Sequence, residues 1–242
     1  MDHNNMITKF DESKYLISMA PVEKVLEAGY YLNLNDQSNV LDLCCGYGEM
    51  LKLWGEAYGI NGKGVDICDE FIKKGNERLE QSNLNHKIDL VCQDVKEFKT
   101  DEQYDVACLI GEVIFGDVSG TIQALDPFLK EGGKIVIGEP YYKQKDVPQA
   151  LIEFEGDLLT LEGLYDTFKR SGYYVSYMAG CTDNEWERYI SWSARRDLEW
   201  LRSHPKDKGF DNKEKWIDTW YKMYFNYRRP YEGWALFILE KI

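Results

Sequence analysis

Chemistry-bearing residues begin at Val40-Leu41-Asp42-Leu43-Cys44-Cys45-Gly46-Tyr47-Gly48, a short apolar run ending in two closely spaced glycines. Glycine lets a backbone turn sharply and approach a ligand closely, and a helix starting behind such a loop presents free N–H groups. A dinucleotide site would want G-x-G-x-x-G. Aligned on Gly46, those positions hold Cys44, Gly46 and Glu49. Two of the three fail, and Glu49 would face a pyrophosphate, so a ligand without phosphate at this point is expected. Further acids stand where apolar runs end. Asp66 comes 24 residues after Asp42, and an acid there can accept hydrogen bonds from ribose hydroxyls. Asp94, in Gln93-Asp94-Val95, can accept from an exocyclic adenine amine. Gly111-Glu112 and Glu139 follow the next two runs. An edge rich in acceptors and poor in cations suits a positively charged, adenosine-bearing ligand.

These residues need a sheet to align them. The pattern predicts strands over 40–43, 62–67, 88–92, 104–111 and 134–138, separated by helices over 49–58, 69–81 and 121–129 and by shorter links. Runs such as Asp105–Ile110 suit strands covered on both faces, which means a parallel sheet with helices on either side. Ligands of such sheets bind outside the carboxyl ends of the strands, and Asp66, Asp94 and Glu112 would share that edge. Residues 8–34 read as helix, with Pro21 at a helix-start position. A helix over 160–171 and strands over 172–179 and 233–240 complete the pattern. The chain then divides into an N-terminal helical segment (1–34), a core (35–180 and 232–242) and a helical insertion (181–231). Six of the seven tryptophans lie between 186 and 234, which gives the insertion its own apolar mass.

Composition narrows the partners. Lys+Arg is 29 against Asp+Glu 42, a net charge of −13 over 242 residues. A surface this acidic repels phosphate backbones and anionic lipid, so neither nucleic acid nor membrane is expected as a partner. No run approaches the roughly 20 apolar residues that span a bilayer, and the opening residues have no stretch of signal-peptide length. A soluble, cytoplasmic protein is the expectation. The six cysteines form no C-x-x-C pair and read as reduced, buried thiols. The three histidines are far apart, and no Cys/His spacing suits zinc, so no metal is expected.

The chain resembles the class I S-adenosylmethionine-dependent methyltransferases. The matching residues are VLDLCCGYG (40–48), GVDI (64–67), QDV (93–95), YDVACLIG (104–111) and LKEGGKIVIGEP (129–140). Each motif alone is common; the five in this order and spacing are specific. The resemblance covers about residues 35–140 and implies a Rossmann-like, seven-stranded, mostly parallel sheet whose last strand is antiparallel; the helical, aromatic-rich insertion read from the pattern would then cap it between the last two strands. It implies S-adenosylmethionine as the cofactor. Asp42, Gly46 and Gly48 would surround its methionine part, Asp66 its ribose, Asp94 and Val95 its adenine, and Gly111 with Glu112 the floor near the sulfonium, with Ile67 a further cofactor contact. Asp42 and Asp94 as plain turn caps is the competing reading. The family usually has glycine where Cys44 stands, so the loop path is open to change.

The methyl acceptor is expected to be a small molecule, with an amine as one class. Methyl transfer needs an in-line nucleophile at close range, and a base only where a proton must leave. With no histidine near the edge, Glu139, or else Glu112, is the candidate to orient or deprotonate the acceptor; a loop salt bridge is the plainer role for Glu139. Tyr141, Tyr142 and Trp186 could line the acceptor pocket, or simply pack. Aromatic side chains beside a carboxylate hold organic cations, and Asp197 falls in the middle of the apolar face of a helix near 185–202. It would either meet a cation from another element, Arg228 or Arg229 being candidates, or contact the acceptor. A protein or RNA methyltransferase, a non-catalytic cofactor-binding module and a nicotinamide oxidoreductase are the alternatives. The net charge argues against RNA, and Glu49 against a nicotinamide dinucleotide.

Overall fold

The computed structural model describes residues 15–111 and 114–242. Among them, seven strands form one sheet: β1 (Asn39–Leu43), β2 (Asn61–Asp66), β3 (Ile88–Cys92), β4 (Tyr104–Ile110), β5 (Leu129–Tyr142), β6 (Tyr174–Gly180) and β7 (Glu232–Glu240). Their order across the sheet is β3-β2-β1-β4-β5-β7-β6. β1 to β5 run parallel, and β7 lies antiparallel between β5 and β6. The class I methyltransferase sheet anticipated from the motifs is therefore present, antiparallel strand included.

Side-chain alternation along these strands divides the core into two layers. Val40, Val106, Cys108, Val136, Leu236 and Ile238 face one side; Leu41, Leu43, Ala107, Leu109, Ile137 and Phe237 face the other. The first face is covered by α1 (Val22–Tyr31), α2 (Glu49–Tyr58), α3 (Asp69–Gln81) and the start of α7 (Asp183–Ser203). The second is covered by α4 (Val118–Leu125) and α6 (Leu161–Arg170). α5 (Gln149–Glu155) is a short helix after β5, and α8 (Phe210–Met223) packs on α7.

Local chemistry sets the boundaries. The side chains of Asp117, Thr160 and Thr182 each accept from a backbone N–H in the first turn of α4, α6 and α7. Thr182 and Glu185 form a reciprocal capping box. Trp54 reaches from α2 to donate its indole N–H to the Val25 carbonyl at 2.7 Å, tying α1 to the core.

Three boundaries differ from the sequence expectation. The helix over 8–34 is realised only as Val22–Tyr31; residues 1–14 lie outside the described residues. Pro21 precedes this helix in extended conformation, and a proline biases the residue before it away from helix. The helix over 121–129 starts earlier, at Val118, and gives way to a 3₁₀ turn over Asp126–Phe128, with Pro127 in its first turn. Finally, β5 is much longer than 134–138. Residues 131–133, which fall outside the expected strand, are an irregularity within it, where pairing steps from Tyr104 with Leu129 to Val106 with Lys134. At its other end β5 runs through Glu139 to Tyr142, held by β7. All six cysteines are free, but only Cys108 is fully buried. Among the described residues no helix is long and apolar enough to cross a membrane.

Candidate active site

The loop between β1 and α2 takes three left-handed residues in quick succession: Cys44 (φ 60°), Gly46 (φ 56°) and Gly48 (φ 67°). Glycine adopts this region freely; cysteine does so at some cost. Cys44 thus keeps a glycine-like backbone rather than redirecting the loop. At Gly48 a Cβ would come within 2.7 Å of Leu90, so that position also needs close packing on β3. Asp66 anchors the loop from the end of β2. One of its oxygens accepts from the Gly46 N–H at 2.8 Å, the other from the Cys68 N–H at 2.9 Å.

A cavity of about 320 Å³ opens here, at the carboxyl ends of the parallel strands. One end is lined by Asp42, Cys44, Gly46, Glu49, Asp66, Ile110 and Gly111, with residues 15–19 and Phe71 as walls. Asp42 is buried, and its carboxyl meets no hydrogen-bond donor among the described residues. Burial, reinforced by the charge of Asp66, pushes its pKa well above the usual carboxylate range. Glu49 is buried too, but Arg78 grips it with two hydrogen bonds of 2.9 and 2.8 Å.

The other end is built by elements distant in sequence: Pro140 of β5, Glu155 at the end of α5, Tyr189 of α7, Arg228, and Glu232 and Trp234 of β7. Arg228 closes a five-residue π-helical stretch, Tyr224–Arg228, a geometry that recurs at functional sites. Its guanidinium donates to both Glu232 oxygens, at 2.9 and 3.1 Å, and its Nε also lies 2.9 Å from Glu155 Oε1. Arg228 and Glu232 are buried, and the guanidinium sits over the rings of Trp186 and Trp220. Burial pushes the Glu155 carboxyl up to about 7, against the pull of Arg228 and with a further push from Glu232.

Several anticipated residues are placed elsewhere. Glu139 pairs with Ala235, on the strand face opposite Pro140 and Trp234, and is not among the cavity's lining side chains. Burial pushes its carboxyl up to about 7. Glu112 lies outside the described residues. Ile67, Asp94 and Val95 follow β2 and β3 along the same sheet edge, beyond the cavity wall. There the Gln93 N–H donates to the Asp66 carbonyl and Asp94 closes a turn by accepting from the Lys96 N–H. Ile67 is exposed and Val95 buried. Tyr141 packs across the strand pair on Gly233, while Tyr142 is buried and donates to the Gly156 carbonyl. Trp186 is core, against Tyr224. Asp197 does meet a cation from another helix, but it is Lys213 of α8 at 2.7 Å. Arg228 is taken by Glu155 and Glu232, and Arg229 by Glu187. Asp197 borders a separate cavity of about 190 Å³ between α7 and α8.

At this far end, Glu155, Tyr189, Glu232 and Trp234 had no part in the sequence reading, and Arg228 entered it only as a candidate partner for Asp197. The four-residue step from Arg228 to Glu232 was a usable signal for an ion pair. Nothing in the chain pointed from Glu155 to either.

Comparison with known proteins agrees with this geometry. The methyltransferase domain family matches residues 40–133. YjhP of Escherichia coli is 32% identical over 225 residues, covering 90% of each chain. A methyltransferase of Geobacter sulfurreducens, crystallised with S-adenosyl-L-homocysteine, superposes with a TM-score of 0.90 at 29% identity over 98% of each chain. One from Thiobacillus denitrificans, crystallised with the same molecule, gives 0.89 at 28% identity over the whole of both. On a likeness that runs through sequence and fold for nearly its full length, this chain belongs to the class I S-adenosylmethionine-dependent methyltransferases.

Proposed function

We propose that the enzyme methylates a small organic molecule, with an amine as the favoured class of acceptor, inside the single cavity that joins the Gly46 loop to the Glu155 end. The observation that carries this reading is the cavity itself. About 320 Å³, walled by residues 15–19 on one side and by Tyr189 and Arg228 on the other, suits a small molecule better than a segment of protein or RNA. The net charge of −13 supports the same choice against RNA.

The residues at the loop end fit the donor. Asp42 is a buried carboxyl that meets no hydrogen-bond donor among the described residues, and Asp66 stands beside it, so the end offers carboxyls where a sulfonium and an α-amino group bring positive charge. S-adenosylmethionine supplies an electrophilic methyl group when bound. The chain's part is to bind, orient and exclude water. Asp42, Gly46 and Gly48 would hold the amino-acid portion, Asp66 and Ile67 the ribose, and Asp94 and Val95 the adenine. Gly111 would border the sulfonium. A cation near Asp42 draws its proton off, so donor binding should release a proton. The relatives crystallised with S-adenosyl-L-homocysteine support this donor end, and the acidic lining of the far end supports an amine. Turnover to S-adenosylhomocysteine across matched small amines, alcohols, carboxylates, a protein mixture and RNA tests the proposal. Turnover confined to small molecules is expected; turnover confined to protein or RNA would overturn it.

A further inference from the structure

The far end of the cavity holds two carboxylates around one guanidinium. Glu232 takes the fork of Arg228, with two hydrogen bonds. That leaves Glu155 close to the same cation, at 2.9 Å from Nε, without a donated hydrogen bond of its own among the described residues. The triad is therefore one negative charge in excess when Glu155 is ionised. Arg228 is buried and its charge already answered, so it is a poor partner for an acceptor's carboxylate or phosphate. It also lies 5.3 and 5.1 Å from the ring centres of Trp186 and Trp220, which makes it a strut. Arg228 and Glu232 face Glu155, Tyr142 of β5 lies within its field, and Tyr189 of α7 stands beside Arg228. No second cation is among them. Tyr189 and Trp234 add aromatic lining, which favours a positive group over a negative one.

We propose that Glu155, aimed by the Arg228–Glu232 pair, is the acceptor-binding residue, and that it selects an amine entering as its ammonium ion and takes up one ammonium proton. This deepens the methyl-transfer reading and rests on it. The proton step balances within the cavity: the N–H bond breaks, its electron pair stays on nitrogen, and the proton moves to a Glu155 oxygen. Carboxylate and ammonium become carboxylic acid and neutral amine. A carboxyl near neutrality suits such a transfer better than an ordinary one, because its proton affinity lies closer to that of an amine. Glu155 stands at about 7.

The test is calorimetry on the full chain saturated with S-adenosylhomocysteine. Titrants are primary amines from propylamine to phenethylamine, the matched alcohols and the matched carboxylates. Amines should bind at least about tenfold more tightly than their alcohols, the worth of a charge-assisted hydrogen bond. That preference should grow as pH rises through about 7 and Glu155 ionises. Glu155→Gln should remove both the preference and its pH dependence, with S-adenosylhomocysteine affinity unchanged, and Glu155→Asp should restore part of the preference. Arg228 keeps Glu232 in the glutamine variant, so the strut survives. Alcohols or carboxylates that bind as well as amines, no titrant binding, or a preference retained by Glu155→Gln would overturn the inference and leave the methyl-transfer reading standing. Failure of the parent to bind S-adenosylhomocysteine would overturn both.

Discussion

Asp42 shows how one buried carboxyl can work against folding and for binding. Its pKa is raised by burial and by Asp66. The sign follows from linkage: the folded state holds a proton that the unfolded state releases, so stability is highest in acid and falls as pH rises through the raised pKa. Asp42→Asn should therefore melt higher than the parent above neutral pH, yet bind donor more weakly. Donor binding by the parent should also release a proton, visible as a calorimetric enthalpy that varies with the ionisation heat of the buffer. The asparagine variant should lose that variation. Glu139 obeys the same sign without the ligand. Its carboxyl rises from 4.5 to about 7 through burial, so Glu139→Gln should gain stability on the order of 3 kcal/mol above pH 7. The gain should fade towards acid, and donor affinity should not move. A chemical-denaturation series against pH checks this. A variant no more stable at any pH would mean that Glu139 has a compensating partner.

At the scale of elements, what could be read in advance was whatever is written locally. The apolar run from Val40 to Leu43 announces a strand, and Pro21 announces a helix start. Glu139 was harder. Its run looks finished at Gly138, and only pairing with β7, distant in sequence, extends β5 to Tyr142. Once the strand continues, alternation turns Glu139 to the face away from the cavity. The same distance hid the Glu155–Arg228–Glu232 cluster, since no local pattern links the end of a short helix to a π-helical stretch. Asp197 could be read as needing a cation, but not which one, because helix packing decides. Two ion pairs of different burial should behave differently. Glu232→Gln leaves Arg228 buried with only Glu155 and should cost about 3–5 kcal/mol. Asp197→Asn breaks a partly exposed pair with Lys213 and should cost no more than about 1 kcal/mol. Equal losses in equilibrium unfolding would contradict the burial assigned to them.

For the whole molecule, the parallel strands bring the ends of β1, β2 and β4 to one edge, while the helical insertion between β6 and β7 supplies Tyr189 and Arg228. The division into donor end and acceptor end depends on the Gly46 loop holding S-adenosylmethionine. Gly46 is left-handed, pinned to Asp66, and a Cβ there would touch Ile17 at 3.4 Å. A β-branched residue is strained in that backbone region. The most direct measurement is calorimetric titration of the parent, Gly46→Val and Asp66→Ala with S-adenosylhomocysteine. The account predicts saturable binding by the parent, none by Gly46→Val, and a loss of roughly 1–3 kcal/mol for Asp66→Ala. A parent that does not bind, or a Gly46→Val variant that binds as tightly as the parent, would contradict it.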